Sequence, residues 1–351
     1  MNFFQLNPTA IEKRTTLRHD PRWQPGYSSI INTNLVAAIR KAKFGKDDYR
    51  LFTDGSGYKG GIGAAAVLYK GPQEIASLRF YLGTASQHTV YEAEAVGLLM
   101  GNHMLSKKRI SGTTKAWIGL DNQAVIQATT SFRSRPGHYI INEFQTSANA
   151  LLKKKPNLSI EVAWCPGHKG IEGNERADAE AKKAAEGKSS NLRDLPDLLQ
   201  RALPSSITTK RGAERAKIWN KWDGEWAKSS RVERLKRIDG TFNRKSFMKT
   251  VGGMNRRAAA LVLQMRTEHV PLNAYLSRMK CVDSRACPSC GARSESVFHY
   301  LTECRTYEQQ RRKMLKGHGR REGMMEYLLS SAKGIKAMMK FVEESGRFKQ
   351  E

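Results

Sequence analysis

Four acidic residues in the first half of the chain have the side-chain chemistry and the local settings for binding metal ions: Asp54, Glu94, Asp121 and Asp178. Asp54 and Asp121 each end a run with the apolar pattern of a buried strand, whereas Glu94 and Asp178 fall in stretches with helical periodicity. Four carboxylates gathered at one sheet edge would repel one another unless divalent cations were bound. Two Mg²⁺ ions ~3.5–4 Å apart would satisfy them, one activating an attacking water and the other stabilising a leaving 3′ oxygen.

The composition favours a polyanionic partner. Lys and Arg number 60 against 33 Asp and Glu, a formal net charge of +27, and each phosphate that the protein neutralises releases a condensed counterion. Charge alone does not separate a nuclease from a ribosome-associated protein or from a chain that merely resists aggregation.

The compartment is expected to be intracellular, nuclear or cytoplasmic, and reducing. Apolar runs fall short of the ~20 residues that a membrane span needs, and the first six residues lack the pattern of a secretory signal. Three of the five cysteines lie in one short segment, which argues against a disulfide framework. No membrane partner is expected.

The element pattern predicts one mixed α/β domain in the order β-β-β-α-β-α-α-β-α. Thr89 and Glu92 have the spacing of a capping box at the start of the first helix. The predicted strands are residues 49–54, 62–69, 74–81, 115–120 and 159–164, and the predicted helices are 93–105, 124–129, 139–153 and 174–185. The first strand should lie centrally, with the strand that ends on Asp121 beside it.

Four segments together resemble the type 1 ribonuclease H domain. They are Phe52-Thr53-Asp54-Gly55-Ser56-Gly57, Ala93-Glu94, Leu120-Asp121-Asn122-Gln123, and the block from Pro166-Gly167-His168 to Asp178. The resemblance spans residues 48 to 187 and implies a ribonuclease H-like five-stranded mixed sheet with flanking helices. It also implies metal-dependent endonucleolytic cleavage of the RNA strand of an RNA–DNA hybrid, with Asp54, Glu94, Asp121 and Asp178 as ligands of two Mg²⁺ or Mn²⁺ ions.

The other residues of this site have competing interpretations. Glu92 competes with Glu94 as a ligand, but its place in the capping box explains it structurally. The resemblance implies that His168 assists proton transfer or product departure. Asn122 and Gln123 are expected near the substrate, with helix N-capping as the alternative for Asn122. Ser56 is expected to touch the substrate backbone or to shape the turn.

A second constellation lies near the C-terminus. Cys287, Cys290, His299 and Cys304 give the spacing C-x₂-C-x₈-H-x₄-C, and three thiolates with one imidazole suit a tetrahedral, structural Zn²⁺. The alternative is a set of buried thiols near a core histidine. Cys281 is a spare candidate ligand, although a packing role is favoured, and Cys165 is expected to be structural in the fifth predicted strand.

The segment from Gln264 to Leu276, leading into this knuckle, extends the resemblance to the C-terminal region of fungal non-LTR retrotransposon polyproteins. The polymerase's aromatic-x-Asp-Asp signature does not occur, so the chain resembles such an element without its reverse transcriptase domain. A separate reverse transcriptase is therefore a possible partner. The alternative function is a catalytically inactive remnant that binds nucleic acid through its basic helices and zinc knuckle.

The predicted domains are an N-terminal extension (1–45), a ribonuclease H domain (46–188), a basic helical region (189–280), a zinc knuckle (281–310) and a basic helical tail (311–351). The basic C-terminal region is expected to bind other nucleic acid. Trp219, Trp222 and Trp226 share one helical face, which favours a core stripe over a base-stacking platform.

Overall fold

The computed structural model describes residues 7–14, 23–110, 112–239, 244–315 and 323–348. The chain divides into two compact units, Met1–Trp219 and Asn220–Glu351. Parts of the predicted N-terminal extension and of the predicted basic tail lie outside the described residues. Within those residues, no helix combines the length and the apolar character needed to cross a membrane.

The first unit is built on a mixed sheet in the order β1-β6-β5-β2-β3-β4. The strands are β1 (Ser28–Ile30), β2 (Tyr49–Tyr58), β3 (Gly61–Lys70), β4 (Gln73–Thr84), β5 (Thr114–Leu120) and β6 (Leu158–Trp164). Strands β2, β3 and β4 form an antiparallel meander, while β5 pairs in parallel with β2, and β6 with β5. The predicted mixed sheet is confirmed, with β2 inside it and β5 at its side.

A sixth strand corrects the predicted count of five. Strand β1 comes from the N-terminal extension and pairs in parallel with β6 at the sheet edge. Its three residues are too few to show a strand period, which explains why the pattern left them unassigned.

Helices cover both faces of the sheet. The α-helices of this unit are α1 (Leu35–Phe44), α2 (Val90–Ser106), α3 (Gln123–Thr129), α4 (His138–Lys154) and α5 (Glu172–Ala185). Alternation along β2 assigns the faces, because Leu51 belongs to the core cluster beneath α2 and α4, whereas Phe52 belongs to the cluster that includes Ala42 of α1 and Ala177 of α5. The predicted capping box is present, with Thr89 Oγ1 accepting from the Glu92 backbone N–H.

Segments outside the predicted ribonuclease H boundaries complete this unit. Leu195, Leu199 and Leu203 lie in its main core cluster. The buried Glu12 carboxylate accepts hydrogen bonds from Gly137 N at 2.6 Å and from Ile207 N at 2.8 Å. Residue 12 therefore joins the N-terminal extension to the starts of two helices.

Helix α6 (Ile207–Ala227) contains the division between the units. None of its residues is buried, and Trp219 is 43% exposed, so the core role favoured for the tryptophans is wrong. Trp222 and Trp226 instead stack on each other, with ring centroids 5.4 Å apart.

The second unit has its own core. Its described α-helices beyond α6 are α7 (Val232–Ile238), α8 (Arg244–Val251), α9 (Arg256–Thr267), α10 (Asn273–Arg278), α11 (Glu308–Met314), α12 (Met324–Ser330) and α13 (Ala332–Ser345). The cluster that they enclose includes Tyr300, Leu328 and Phe341 together with Cys287 and Cys304. An ion pair between the buried Glu295 and the half-buried Arg347, at 2.7 and 2.8 Å, lies in the same unit.

Candidate functional site

Three of the four predicted carboxylates meet at one edge of the sheet. Asp54 lies on β2 and Asp121 directly follows β5, and these are adjacent parallel strands whose carboxyl ends face the same way. Glu94 lies in the second turn of α2, which packs over that edge. One oxygen from each of Asp54, Glu94 and Asp121 lies within 4.8 Å of the others.

Close backbone approach makes this convergence possible. A Cβ atom on Gly55 would lie 2.5 Å from Glu94 N, so only glycine allows α2 to lie this close to β2. On the other side, Trp164 Nε1 donates to Asp121 O at 3.1 Å and Cys165 N donates to Leu120 O at 2.8 Å. These contacts fix the segment that leads into the histidine loop against Asp121.

Two of the three carboxylates are buried, and the cluster is electrostatically unfavourable without cations. Asp54 is 7% exposed and Glu94 is 3% exposed. Burial, followed by repulsion from Asp121 and Asp178, raises the pKa of Asp54 to about 7. Burial and the charges of Asp54 and Asp121 also raise the pKa of Glu94 well above its usual range. Glu94 Oε2 is buried without a hydrogen-bond partner.

Asp178 does not join this group. It lies in the middle of α5, and its carboxylate Oδ2 accepts from Lys182 Nζ at 2.6 Å. Lys182 was not predicted as part of the site. The sequence could have indicated this contact, because Lys182 lies four residues after Asp178 on a predicted helix, a spacing that allows an Asp–Lys ion pair.

His168 lies on the loop beside the cluster. Its side chain is exposed, and its backbone is left-handed with φ 54°. The preceding residue, Gly167, allows the loop to lie close to Asp121, because a Cβ at this position would be only 2.6 Å from Asp121 Oδ2. Gly167 thus brings the loop backbone against a cluster carboxylate.

The remaining predicted residues occupy mixed settings. Asn122 caps α3, since its Oδ1 accepts from the N–H groups of Ala124 and Val125 at 3.1 and 3.3 Å. Gln123 is exposed at the first position of α3, and Ser56 is buried on β2 opposite Gly63. Glu92 lies outside the carboxylate group and accepts from Thr89 N at 2.7 Å.

The cysteine–histidine constellation is also brought together. One ligand atom from each of Cys287, Cys290, His299 and Cys304 lies within 4.8 Å of the others. Cys290 Sγ lies 3.3 Å from His299 Nε2, and Cys287 Sγ lies 3.9 Å from Cys304 Sγ. His299 Nδ1 faces the Glu303 carboxylate at 3.6 Å, which orients Nε2 toward the thiols, as in many zinc sites.

The thiols of this cluster differ in acidity. Burial raises the pKa of Cys287 to about 11. Burial also disfavours the Cys290 thiolate, but hydrogen bonds from the Ala292 backbone, from the neighbouring thiols and from His299 outweigh it and lower the pKa of Cys290 to about 7. Cys281 is exposed and lies outside the group, whereas Cys165 is fully buried after β6.

Comparison with known proteins concerns the first unit. Residues 46–186 match the family model described as RNase H. No curated protein gives a significant match.

Among solved structures, the chain is similar to the N-terminal RNase H domain of a Mycobacterium tuberculosis protein fused to maltose-binding protein, at 22% identity and a TM-score of 0.32, covering 40% of this chain and 96% of that one. It is similar to the RNase H1 of the archaeon Halobacterium salinarum at 19% identity and a TM-score of 0.31, covering 40% and 98%. It is also similar to the prototype foamy virus protease–reverse transcriptase at 20% identity and a TM-score of 0.31, covering 40% of this chain and 21% of that one. Likenesses this distant add nothing to the family match, by which residues 46–186 are an RNase H domain.

Proposed function

We propose that the first unit hydrolyses the RNA strand of RNA–DNA hybrids by metal-dependent endonucleolytic cleavage. The observation that carries the proposal is the convergence of Asp54, Glu94 and Asp121, from three different elements, inside a domain that matches the RNase H family. A basic chain has no general reason to gather three carboxylates, two of them buried, because burial and neighbouring negative charge make ionised carboxylates costly.

The donor set fits hard divalent cations. All three groups offer carboxylate oxygens, the ligand type that Mg²⁺ and Mn²⁺ prefer, and Glu94 Oε2 is buried without a partner. Asp54, Glu94 and Asp121 would hold the cations, with Asp178 as the fourth ligand. When bound, two such ions would lower the pKa of a water and neutralise charge on the leaving 3′ oxygen.

The protein's own groups would orient the substrate and move protons. His168, exposed on its loop, would exchange a proton with the leaving oxygen or the attacking water. Ser56 and Gln123 are proposed to touch the substrate. For Asn122 the amide nitrogen is the proposed contact, because Oδ1 caps α3.

In the second unit, Cys287, Cys290, His299 and Cys304 are proposed to hold a structural Zn²⁺. The donor set fits, since four protein ligands leave no open position for chemistry. The net charge of +27 supports a nucleic-acid partner for the chain. The basic C-terminal region would bind nucleic acid outside the active site, and the retrotransposon resemblance makes a separate reverse transcriptase a candidate partner.

The test is cleavage of an end-labelled RNA–DNA hybrid by the full chain with Mg²⁺ or Mn²⁺, compared with single-stranded RNA and duplex DNA. Wild type should cut only the RNA of the hybrid, and Asp54→Asn and Glu94→Gln should each lower the rate by at least ~10²-fold. Glu92→Gln is the matched control, because a glutamine at this position preserves the capping box. Undiminished cleavage by Asp54→Asn would reject the proposal. Tight hybrid binding by wild type without any cleavage would favour the inactive-remnant alternative.

A further inference from the structure

Asp178 is distinguished from the other three carboxylates by its partner. Lys182 Nζ lies 2.6 Å from Asp178 Oδ2, one turn further along α5. In the part of the chain that the structure describes, no ion pair joins a Lys or Arg to Asp54, Glu94 or Asp121. The side chains of Asp178 and Lys182 are 26% and 47% exposed, so solvent reaches the pair.

The other basic side chains of this helix have a different partner. Arg176 and Lys183 both pair with Glu180, whose side chain is 3% exposed. Their role is to neutralise a buried carboxylate on the face of α5 that packs on the sheet. Lys182 lies beside Lys183 in the sequence, yet it pairs with the carboxylate proposed as a metal ligand.

We infer that Lys182 is a positioning residue, an internal counter-ion that holds the Asp178 carboxylate outside the cluster until a divalent cation takes it. The inference rests on the proposed function. A partly exposed ion pair is weak and screened, so a doubly charged ion coordinated by three other carboxylates can displace the ammonium group. Because the metal must break this pair in order to bind, the apparent metal affinity is about two- to fivefold lower than it would be with an unpaired Asp178.

The experiment is calorimetric titration of the full, zinc-loaded chain with Mn²⁺, with metal-induced thermal stabilisation as a second readout. Lys182→Gln should tighten Mn²⁺ binding by about two- to fivefold. Lys183→Gln is the matched control, because it removes the same charge from the neighbouring position but frees no proposed ligand, and it should leave binding at the wild-type value.

A double-mutant comparison distinguishes an effect of Lys182 that acts through Asp178 from a general effect of its positive charge on cation binding. In an Asp178→Asn background, Lys182→Gln should change Mn²⁺ affinity clearly less, because no carboxylate remains to be released and only the weaker charge interaction of Lys182 with Asp54 is lost. Unchanged affinity in Lys182→Gln, or a full effect that persists in the Asp178→Asn background, would overturn the inference while leaving the proposed function intact. If instead wild type showed no Mn²⁺ binding that Asp54→Asn abolishes, the proposed function itself would be overturned.

Discussion

Two carboxylates of the cluster are placed where their ionised forms are costly. Asp54 and Glu94 are almost completely buried, and the pKa of both is raised first by burial and then by neighbouring negative charge. A site of this kind is destabilising when it is empty of cations and stabilising when it is filled, because cation binding converts repulsion into coordination.

We therefore expect Asp54→Asn to make the metal-free protein more stable, by roughly 1–2 kcal/mol above pH 7, because it removes one desolvated negative charge. The same variant should lose the Mg²⁺-dependent rise in melting temperature that wild type shows. Thermal unfolding with and without Mg²⁺ measures both effects. A metal-free Asp54→Asn protein less stable than wild type would show that the carboxylate serves folding.

Gly167 is expected to control the shape of the site without affecting folding. Gly167→Ala would place a methyl group 2.6 Å from Asp121 Oδ2, so the carboxylate or the loop must move, and hybrid cleavage should fall ~10-fold or more. Melting temperature should change little. Gly253→Ala is the control, because nothing lies within 4 Å of the added Cβ. Equal rates for both variants would contradict this role.

At the scale of elements, α5 is held to the sheet by close backbone contact and by Glu180. A Cβ on Gly63 of β3 would lie 2.1 Å from Ala185 N, which shows how tightly the helix approaches. Glu180 pairs with Arg79 at 3.0 Å and with Lys183 at 2.8 Å, and it also accepts from Arg176. Burial disfavours the charged form of Glu180, but these partners outweigh it and lower its pKa.

Glu180 should give the stability of the first unit a defined pH dependence. Because its folded pKa lies below the unfolded value of about 4.3, its contribution is present above that pH and is lost as pH falls through the folded pKa. Glu180→Gln should cost roughly 1–3 kcal/mol at neutral pH and flatten the acid limb of unfolding free energy against pH.

Urea unfolding across the acid range measures this prediction. Glu186→Gln is the control, because Glu186 pairs with Lys59 on the surface and should change stability little. Parallel acid limbs for wild type and Glu180→Gln would contradict the assignment.

At the scale of the whole molecule, each unit has its own hydrophobic core, so the stability of one unit can change without that of the other. The first unit has a buried cluster on each face of its six-stranded sheet, whereas the core of the second unit is helical and includes Cys287 and Cys304. A metal held by these thiols would therefore stabilise the second unit and leave the first core untouched.

Removing zinc with a chelator, or replacing Cys287 by Ser, should loosen only the second unit. Amide hydrogen exchange should show α13 losing protection by several kcal/mol, while α2 keeps its protection. Cys281→Ser is the matched control, since Cys281 is exposed and outside the ligand group. Equal loss of protection in both units, or none in either, would contradict this assignment.

The sequence by itself determined the order of the nine predicted elements and the capping box of α2. It also selected Glu94 over Glu92, because a carboxylate used as a helix cap is identifiable from local spacing. Likewise, the Cys–His spacing predicted that Cys287, Cys290, His299 and Cys304 lie together, which the structure shows. These features depend on residues that are close together along the chain, so local sequence spacing is enough to predict them.

Only the tertiary structure decided the rest. It added β1, showed that Glu12 joins distant segments, and left the tryptophans of α6 outside the core. It also placed Asp178 outside the group formed by the other three carboxylates, paired with Lys182. The physical reason is that burial and charge pairing depend on distances between segments far apart in sequence. Sequence patterns indicate four candidate metal ligands, but only the fold determines which of the four carboxylates lie close to one another.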